Sequence, residues 1–409
     1  MKVSYIALSI PVFFLLIGVE LLVGYLKEEK LYRFNDALTN INLGTGQQIV
    51  GVMVKGFFFL GYLFLYERRL FEIPNTWWSW MLLFLGVDFF YYWFHRLSHE
   101  INFLWAAHIV HHQSEDYNLS VALRQSWFQG WFSWAFYLPL AVVGFDPIMF
   151  AAVNSFNTLY QFWIHTTTIK NMGPLEWVFN TPSHHRVHHG SNPKYIDRNH
   201  AGSLIIWDRL FGTFQKEEEE VVYGITKPLN SWNPVWANIH YWQELWELAK
   251  QSTGFDKIRV FLKPPGWQPE YLGGFQAPQE IDKSTYNKYD FDGLRHDHIY
   301  VFFVFLVALG LATAVLFLKS SIAILPLYAT MAYLLATLGV TGGLMENRKW
   351  LIPAEYGRII ATLLIALLYW QHPEFQLIMR GAAVFTLLNL VWFSRVVKHI
   401  RKQEHVLIS

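Results

Sequence analysis

Nine apolar stretches set the terms on which this chain can fold. They lie at about residues 4–26, 48–66, 77–94, 128–145, 148–164, 299–318, 321–340, 358–371 and 378–397. Runs of this length match the hydrocarbon thickness when helical. A backbone in lipid must satisfy its own hydrogen bonds, so the expected fold class is all-α, a multi-pass transmembrane helical bundle. Composition agrees: of 409 residues 53% are hydrophobic and only 15% charged, with a mean hydropathy of +0.21. A net charge of +1 gives no electrostatic case for nucleic acid. The chain has no cysteine, which excludes disulfides, iron–sulfur clusters and thiolate zinc sites.

The first run lacks a following small-residue cleavage site and reads as a spanning helix. Placing the loop 27–47, the stretch 165–298 and the C-terminal tail on one side gathers most basic residues there. These include Lys27, Lys30, Arg33, Arg395, Lys398, Arg401 and Lys402. The other side keeps little more than Lys2, Arg68, Arg69, Lys319 and Arg380. The positive-inside rule makes the richer side cytoplasmic. The pair 128–145 and 148–164 has a second reading as a re-entrant hairpin, which leaves this orientation intact. Three segments follow: residues 1–47, an N-terminal transmembrane helix and cytoplasmic loop; 48–298, the catalytic domain with a cytoplasmic histidine-rich lobe; and 299–409, C-terminal transmembrane helices. In the lobe, Trp236, Ile239, Trp242, Leu245 and Trp246 recur at helical spacing, as in an interfacial helix or one packed on the lobe's core. Glu217–Glu220 reads as a solvated loop or helix end.

Histidine carries the chemistry. Three clusters, His95-Arg-Leu-Ser-His99, His108-Ile-Val-His111-His112 and His184-His185-Arg-Val-His188-His189, fall on the cytoplasmic side. Residues three and four apart share a helix face, so His95 pairs with His99, His108 with His111 and His112, and His185 with His188 and His189. These eight imidazoles exceed the four to six ligands of one ion and call for two metals. His165, at the cytoplasmic end of the fifth run, is a ninth candidate ligand, although a lone histidine is by default structural. His184 is off the pattern and a candidate for a supporting role, and His200 is weaker still. His240, His296, His298, His372, His399 and His405 belong to no cluster.

Two carboxylates stand near the clusters. Asp88 lies two turns before His95 within an apolar run, where it either accepts a ligand's free ring N–H or makes a structural hydrogen bond to a neighbouring helix. Glu100 follows His99 directly; it binds metal, orients a ligand or moves a proton, or else begins a surface loop. Imidazole suits zinc, copper, iron and nickel alike. Two irons that activate dioxygen against a C–H bond fit both the ligand count and a site at the membrane surface, where a lipid substrate arrives. A two-zinc hydrolase fits only the count.

The spacing HxxxH, HxxHH and HxxHH between membrane runs resembles the fatty acid hydroxylase and sterol desaturase superfamily. So does Asn199-His-Ala-Gly202 followed by Trp207-Asp-Arg-Leu-Phe-Gly-Thr-Phe214. That superfamily often has Tyr where this chain has His200. Longer words are similar to the alkylglycerol monooxygenase family: Glu100, Ser114-Glu-Asp-Tyr-Asn-Leu-Ser-Val-Ala-Leu-Arg-Gln-Ser126, Tyr160-Gln-Phe-Trp-Ile-His165 and Asn180-Thr-Pro-Ser-His-His-Arg-Val-His-His-Gly190. Over roughly the last hundred residues only hydropathy is shared.

The resemblance implies a non-heme di-iron centre on His95, His99, His108, His111, His112, His185, His188 and His189, with Glu100 needed for activity. It also implies dioxygen as co-substrate and tetrahydrobiopterin, or another electron donor such as a redox protein. The substrate is then an ether lipid drawn from the bilayer, hydroxylated beside its ether oxygen. Asn118, Arg124 and Gln125 are candidates to read the glycerol head, or else anchors of their loop. The host membrane is the endoplasmic reticulum in a eukaryote and the plasma membrane in a bacterium. Two rivals stand: a sterol, carotenoid or acyl-lipid hydroxylase or desaturase with the same metals, and a non-enzymatic metal-binding membrane protein.

Overall fold

A computed structural model describes residues 5–278, 286–290, 295–346, 348 and 350–408. Among the described residues there is no strand, only isolated bridges at Phe179–Leu204 and Gly190–Tyr223. The helices are α1 (Tyr5–Leu26), α2 (Phe34–Tyr66), α3 (Trp77–Glu100), α4 (Asn102–His112), α5 (Gln129–Phe136), α6 (Leu138–Val143), α7 (Pro147–Trp163) and α8 (Pro182–His188). They continue with α9 (Ile206–Phe211), α10 (Pro234–Gln251), α11 (Asp256–Leu262), α12 (Arg295–Leu318), α13 (Ile324–Leu344), α14 (Leu351–Leu367) and α15 (Phe375–Ile408).

Five of the described helices are long and apolar enough to cross a membrane: Leu8–Leu26, Phe34–Tyr66, His298–Ser321, Ile324–Leu344 and Phe375–Lys398. The run 128–145, expected as one span, is instead broken at Tyr137 into α5 and α6, with Pro139 in the first turn of α6. Eight and six residues are each far short of the roughly 20 a crossing needs. The loop expected at 27–47 is also shorter, because α2 already begins at Phe34.

The chain divides into two compact units, residues 1–47, 51–229 and 237–289, and residues 48–50, 230–236 and 290–409. In the first, α3 is the central element and packs against α4, α5, α6 and α7. Its start is fixed by a capping box in which the Thr76 amide donates to Ser79 Oγ at 3.0 Å. The start of α7 is fixed by Asp146, whose Oδ1 accepts from the amides of Ile148 and Met149 at 2.8 and 3.0 Å, with Pro147 at the first position. Between these helices Leu83, Val87, Leu140, Met149 and Val153 form an apolar core.

Residues 121–127 press on α2 through two glycines. A Cβ on Gly44 would meet the Leu123 carbonyl at 2.3 Å, and one on Gly46 the Trp127 indole at 2.3 Å. On α10, Leu245 and Ala249 are buried with Val260, as packing on the lobe's core requires, while Ile239 and Trp246 stay exposed.

In the second unit α12, α13, α14 and α15 pack in sequence, with α15 returning to α12. Its interior holds the pair Arg358–Glu355, joined at 2.6 and 2.7 Å, with Tyr300, Tyr333 and Asn389 as further partners.

Candidate metal centre

The last two turns of α3 carry His95 and His99, and the chain turns at Ile101 straight into α4. That turn is tied down by Asn102, whose amide and side chain donate to the carbonyls of Lys263 and Val260 at 3.0 and 2.8 Å. Consequently α4 folds back so that His108 and His112 meet His99 of α3, while His111 turns to His165 and His189. His165 follows the end of α7, and α8, opened by Pro182, adds His185, His188 and the adjoining His189.

All nine rings are buried and fall into two groups. One comprises His95, His99, His108, His112 and His188, the other His111, His165, His185 and His189; within each, one nitrogen per ring lies within 4.8 Å of every other. The groups adjoin: the rings of His112 and His189 stack at 4.4 Å, and His188 lies 5.3 Å from His189.

Hydrogen bonds on the far side of the rings decide which nitrogens face inward. Nδ1 of His95, His111, His165 and His188 lies 2.7, 2.8, 2.7 and 2.9 Å from the main-chain carbonyls of His200, Arg124, Gln161 and Arg198. A carbonyl only accepts, so each Nδ1 carries the proton and each neutral ring turns an Nε2 lone pair inward. The Nε2 atoms of His111 and His165 are then 3.2 Å apart with a lone pair on each, an arrangement no hydrogen bond can satisfy. His95 and His108 meet likewise at 3.0 Å, the latter with its Nδ1 on Gln129 Oε1 at 3.1 Å. Protons do not resolve the conflict, because burial holds the imidazoles well below their usual range, His111 down to about 4. Nitrogen lone pairs converging on two points in a buried pocket could hold metal ions, for which imidazole is a common ligand. The residues fit such ions.

A fatty acid hydroxylase family model matches residues 80–213, the stretch that holds all nine rings. An alkylglycerol monooxygenase of Xenopus tropicalis is 42% identical over 352 residues, covering 84% of this chain and 78% of that protein. The alkylglycerol monooxygenase of Danio rerio is 37% identical over 406 residues, 96% of this chain and 89% of its own. This chain belongs to the alkylglycerol monooxygenase family. The Homo sapiens relative of the same description is 48% identical over 270 residues, 65% of this chain and 60% of that protein. No solved structure matches the chain significantly. As a family member it is an oxidoreductase of the monooxygenase class, embedded in a membrane by apolar helices.

Several expected neighbours of the metals are employed elsewhere. Asp88 accepts from Asn157 Nδ2, the amides of Ser203 and Leu204 and the Trp207 indole, at 2.7, 2.7, 3.0 and 2.9 Å. No histidine is among them; its carboxylate clamps the 203–207 segment onto α3. Glu100 is in neither ligand group; it lies partly exposed, with Oε1 accepting from Arg96 Nε at 2.8 Å. His184 joins neither group; its ring approaches the Phe179 carbonyl and lies against Phe214. Arg124 is 2% exposed and donates to Val110 O, Asn40 Oδ1 and Gln113 Oε1 at 2.8, 2.9 and 3.0 Å. Asn118 reaches the Leu31 carbonyl at 2.9 Å, and Gln125 the Ala122 carbonyl at 3.1 Å. Arg124 and Asn118 are thus engaged within the protein, and Gln125, half-buried, bonds within its own loop through Nε2. Of the remaining histidines, His240 holds the Ala237 carbonyl, and the side chains of His296, His399 and His405 lie outside the described residues, as do Lys2, Arg401 and Lys402.

Other residues took roles that the sequence did not announce. Glu20, midway along α1, accepts from the Leu119 amide at 2.8 Å and from Tyr32 and Thr166, tying the segments next to Asn118 and His165 to the first helix. A single carboxylate inside an apolar run was its signal, the same that marked Asp88. His200 is fully buried, with its ring 5.0 Å from that of His99 and neither nitrogen in a completed hydrogen bond, although it approaches the Asp197 carbonyl. Glu217 pairs with Arg186 at 2.6 and 2.8 Å and Glu219 accepts from Asn192 Nδ2 at 2.9 Å, so the acidic run is not merely solvated. Beside it opens a cleft of about 670 Å³ lined in part by Ser183, Arg186 and Tyr223. Tyr223 stacks at 4.7 Å on Tyr117, which covers His165 and His189.

Proposed function

We propose that this protein is a membrane di-iron monooxygenase that cleaves alkylglycerols and related ether lipids. The observation that carries the reading is the pairing of inward lone pairs in two adjacent all-imidazole groups, within a chain of the alkylglycerol monooxygenase family. His95, His99, His108, His112 and His188 would hold one iron, and His111, His165, His185 and His189 the other. Bound iron supplies the activation of dioxygen. One oxygen atom enters the C–H bond beside the ether oxygen, and the other leaves as water with two electrons and two protons from a reductant. The hemiacetal so formed collapses to a fatty aldehyde and a glycerol derivative. The reductant is tetrahydrobiopterin in the reading the resemblance gives, and no residue of this chain is assigned to it.

The protein's own share is orientation and exclusion. Backbone carbonyls fix four ring tautomers, so the donors are set before any ion arrives. Burial of every ring keeps water from the site. Glu100, which the resemblance makes necessary, acts in this reading through Arg96, since its carboxylate is spent there.

Residues 48–298 form the catalytic domain in this proposal and residues 299–409 a C-terminal membrane bundle. The histidine lobe faces the cytoplasm, following the Lys and Arg distribution. Because α5 and α6 are too short to cross, residues 128–164 enter and leave on that same side, which preserves the orientation expected from nine spans.

Purified protein supplied with ferrous iron, a reduced pterin and an alkylglycerol should consume oxygen and release aldehyde. An intact ether alongside an oxidised sterol or acyl chain would transfer the assignment to a sister hydroxylase. Zinc found in a purified sample does not count against iron, because zinc binds such sites more tightly than ferrous iron does.

A further inference from the structure

The segment Trp207–Phe214 stands out in the sequence, yet none of its side chains reaches the metal groups. Its Asp208 is fully buried on α9. One carboxylate oxygen, Oδ2, accepts from the Ala201 amide at 2.8 Å. That N–H belongs to the same peptide unit as the His200 carbonyl, which accepts from His95 Nδ1 at 2.7 Å. A carboxylate, a peptide group and an imidazole therefore stand in one hydrogen-bonded line.

We infer that Asp208 is a positioning residue for the metal centre, acting on His95 through the His200–Ala201 peptide. The chemistry follows from polarisation along the line. An N–H held by an anion pushes electron density onto the carbonyl of its own peptide, and the carbonyl becomes a stronger acceptor. The His95 Nδ1–H bond strengthens, and His95 Nε2 becomes a more electron-rich donor. Carboxylates placed directly on a ligand's ring N–H do this in many metal sites; here one peptide unit is inserted between the two groups. Four ligand rings donate to main-chain carbonyls, and among the described residues only this one has a peptide whose N–H ends on a carboxylate.

The carboxylate is itself held in place. Its Oδ1 accepts from the His200 amide at 2.8 Å and from Thr213 Oγ1 at 2.7 Å. Thr213 continues to the Tyr92 hydroxyl at 2.9 Å, Tyr92 to Arg96 at 3.2 Å, and Arg96 to Glu100 at 2.8 Å. Glu100 thus lies at the outer end of a chain of contacts that finishes on a ligand, without touching metal.

The inference rests on the two-metal reading, and cobalt(II) separates the two claims. Full-length protein in detergent should bind two cobalt ions, and a wild type that binds none sinks the metal reading first. In a H165A background, which removes the four-histidine position, D208N should bind cobalt about 10–100-fold more weakly and shift its visible ligand-field bands. T213V, which loses a donor to Oδ1 but spares the Ala201 bond, should stay close to its parent. Unchanged affinity and bands in D208N overturn the inference, as do equal losses in D208N and T213V. If D208N does not fold, D208E takes its place: the displaced carboxylate should shift the bands at full stoichiometry, and parental bands overturn the inference.

Discussion

Arg124 offers the sharpest test of what holds the site. Twelve positions after the second histidine cluster ends at His112, it had two readings, a reader of the glycerol head and a loop anchor. It is buried, and it donates to Val110 O, Asn40 Oδ1 and Gln113 Oε1 at 2.8, 2.9 and 3.0 Å, while its own carbonyl holds His111 Nδ1 at 2.8 Å. Burial pushes its guanidinium down to about 10, so it is still charged at neutral pH. R124K keeps the charge but replaces a planar fork by a single ammonium, which on this geometry can serve one of three divergent acceptors. Two charge-assisted hydrogen bonds are lost at about 1.5–3 kcal/mol each, so the change should cost about 3–6 kcal/mol. That is a large part of the about 5–15 kcal/mol that typically separates folded from unfolded protein. Thermal scans of detergent-solubilised R124K should show a markedly lower transition and metal loss centred on the His111 group. An R124K protein with wild-type thermal transition and metal content, but a raised KM for alkylglycerol, would restore the head-group role and refute the anchoring argument.

Three further outcomes follow. H165A should reduce bound metal from two ions to one per chain by elemental analysis, because only its own group loses a ligand; retention of both would remove His165 from the centre. E100Q should keep both metals and lose no more than about 0.5 kcal/mol, the usual worth of an i,i+4 pair at a surface, so a metal-depleted E100Q contradicts its placement on Arg96. With metals stripped, stability should fall as pH drops from about 6.5 toward 4. The folded pKa of His111 lies below the unfolded value, so the unfolded chain takes up the proton first, and this ring alone contributes about 3 kcal/mol across that window. A metal-free protein whose denaturant midpoint is flat from pH 7 to 4.5 would contradict the buried, neutral imidazoles.

The histidine spacing was legible because helical periodicity is local: i, i+3 and i+4 put rings on one face whatever the rest of the chain does. Even His165 could be singled out, since hydropathy alone ends the apolar run 148–164 just before it. Roles that depend on remote backbone were not legible. The acceptors for His95, His111, His165 and His188 are main-chain carbonyls, which any residue type supplies, so no letter in the sequence marks them. Asp88 shows the same limit from the other side. Its burial was foreseeable from the apolar run, but its four donors come from Asn157 and the 203–207 segment, about 70 to 120 positions away. The choice between supporting a ligand and clamping a segment was decided by how residues 199–214 close over α3. That closure brings the His200 carbonyl to His95 and the Arg198 carbonyl to His188, so the Asp88 clamp and the Asp208 line serve one end. The segment after the last histidine cluster adds no residue to either histidine group; it sets the direction in which two of the rings present their lone pairs.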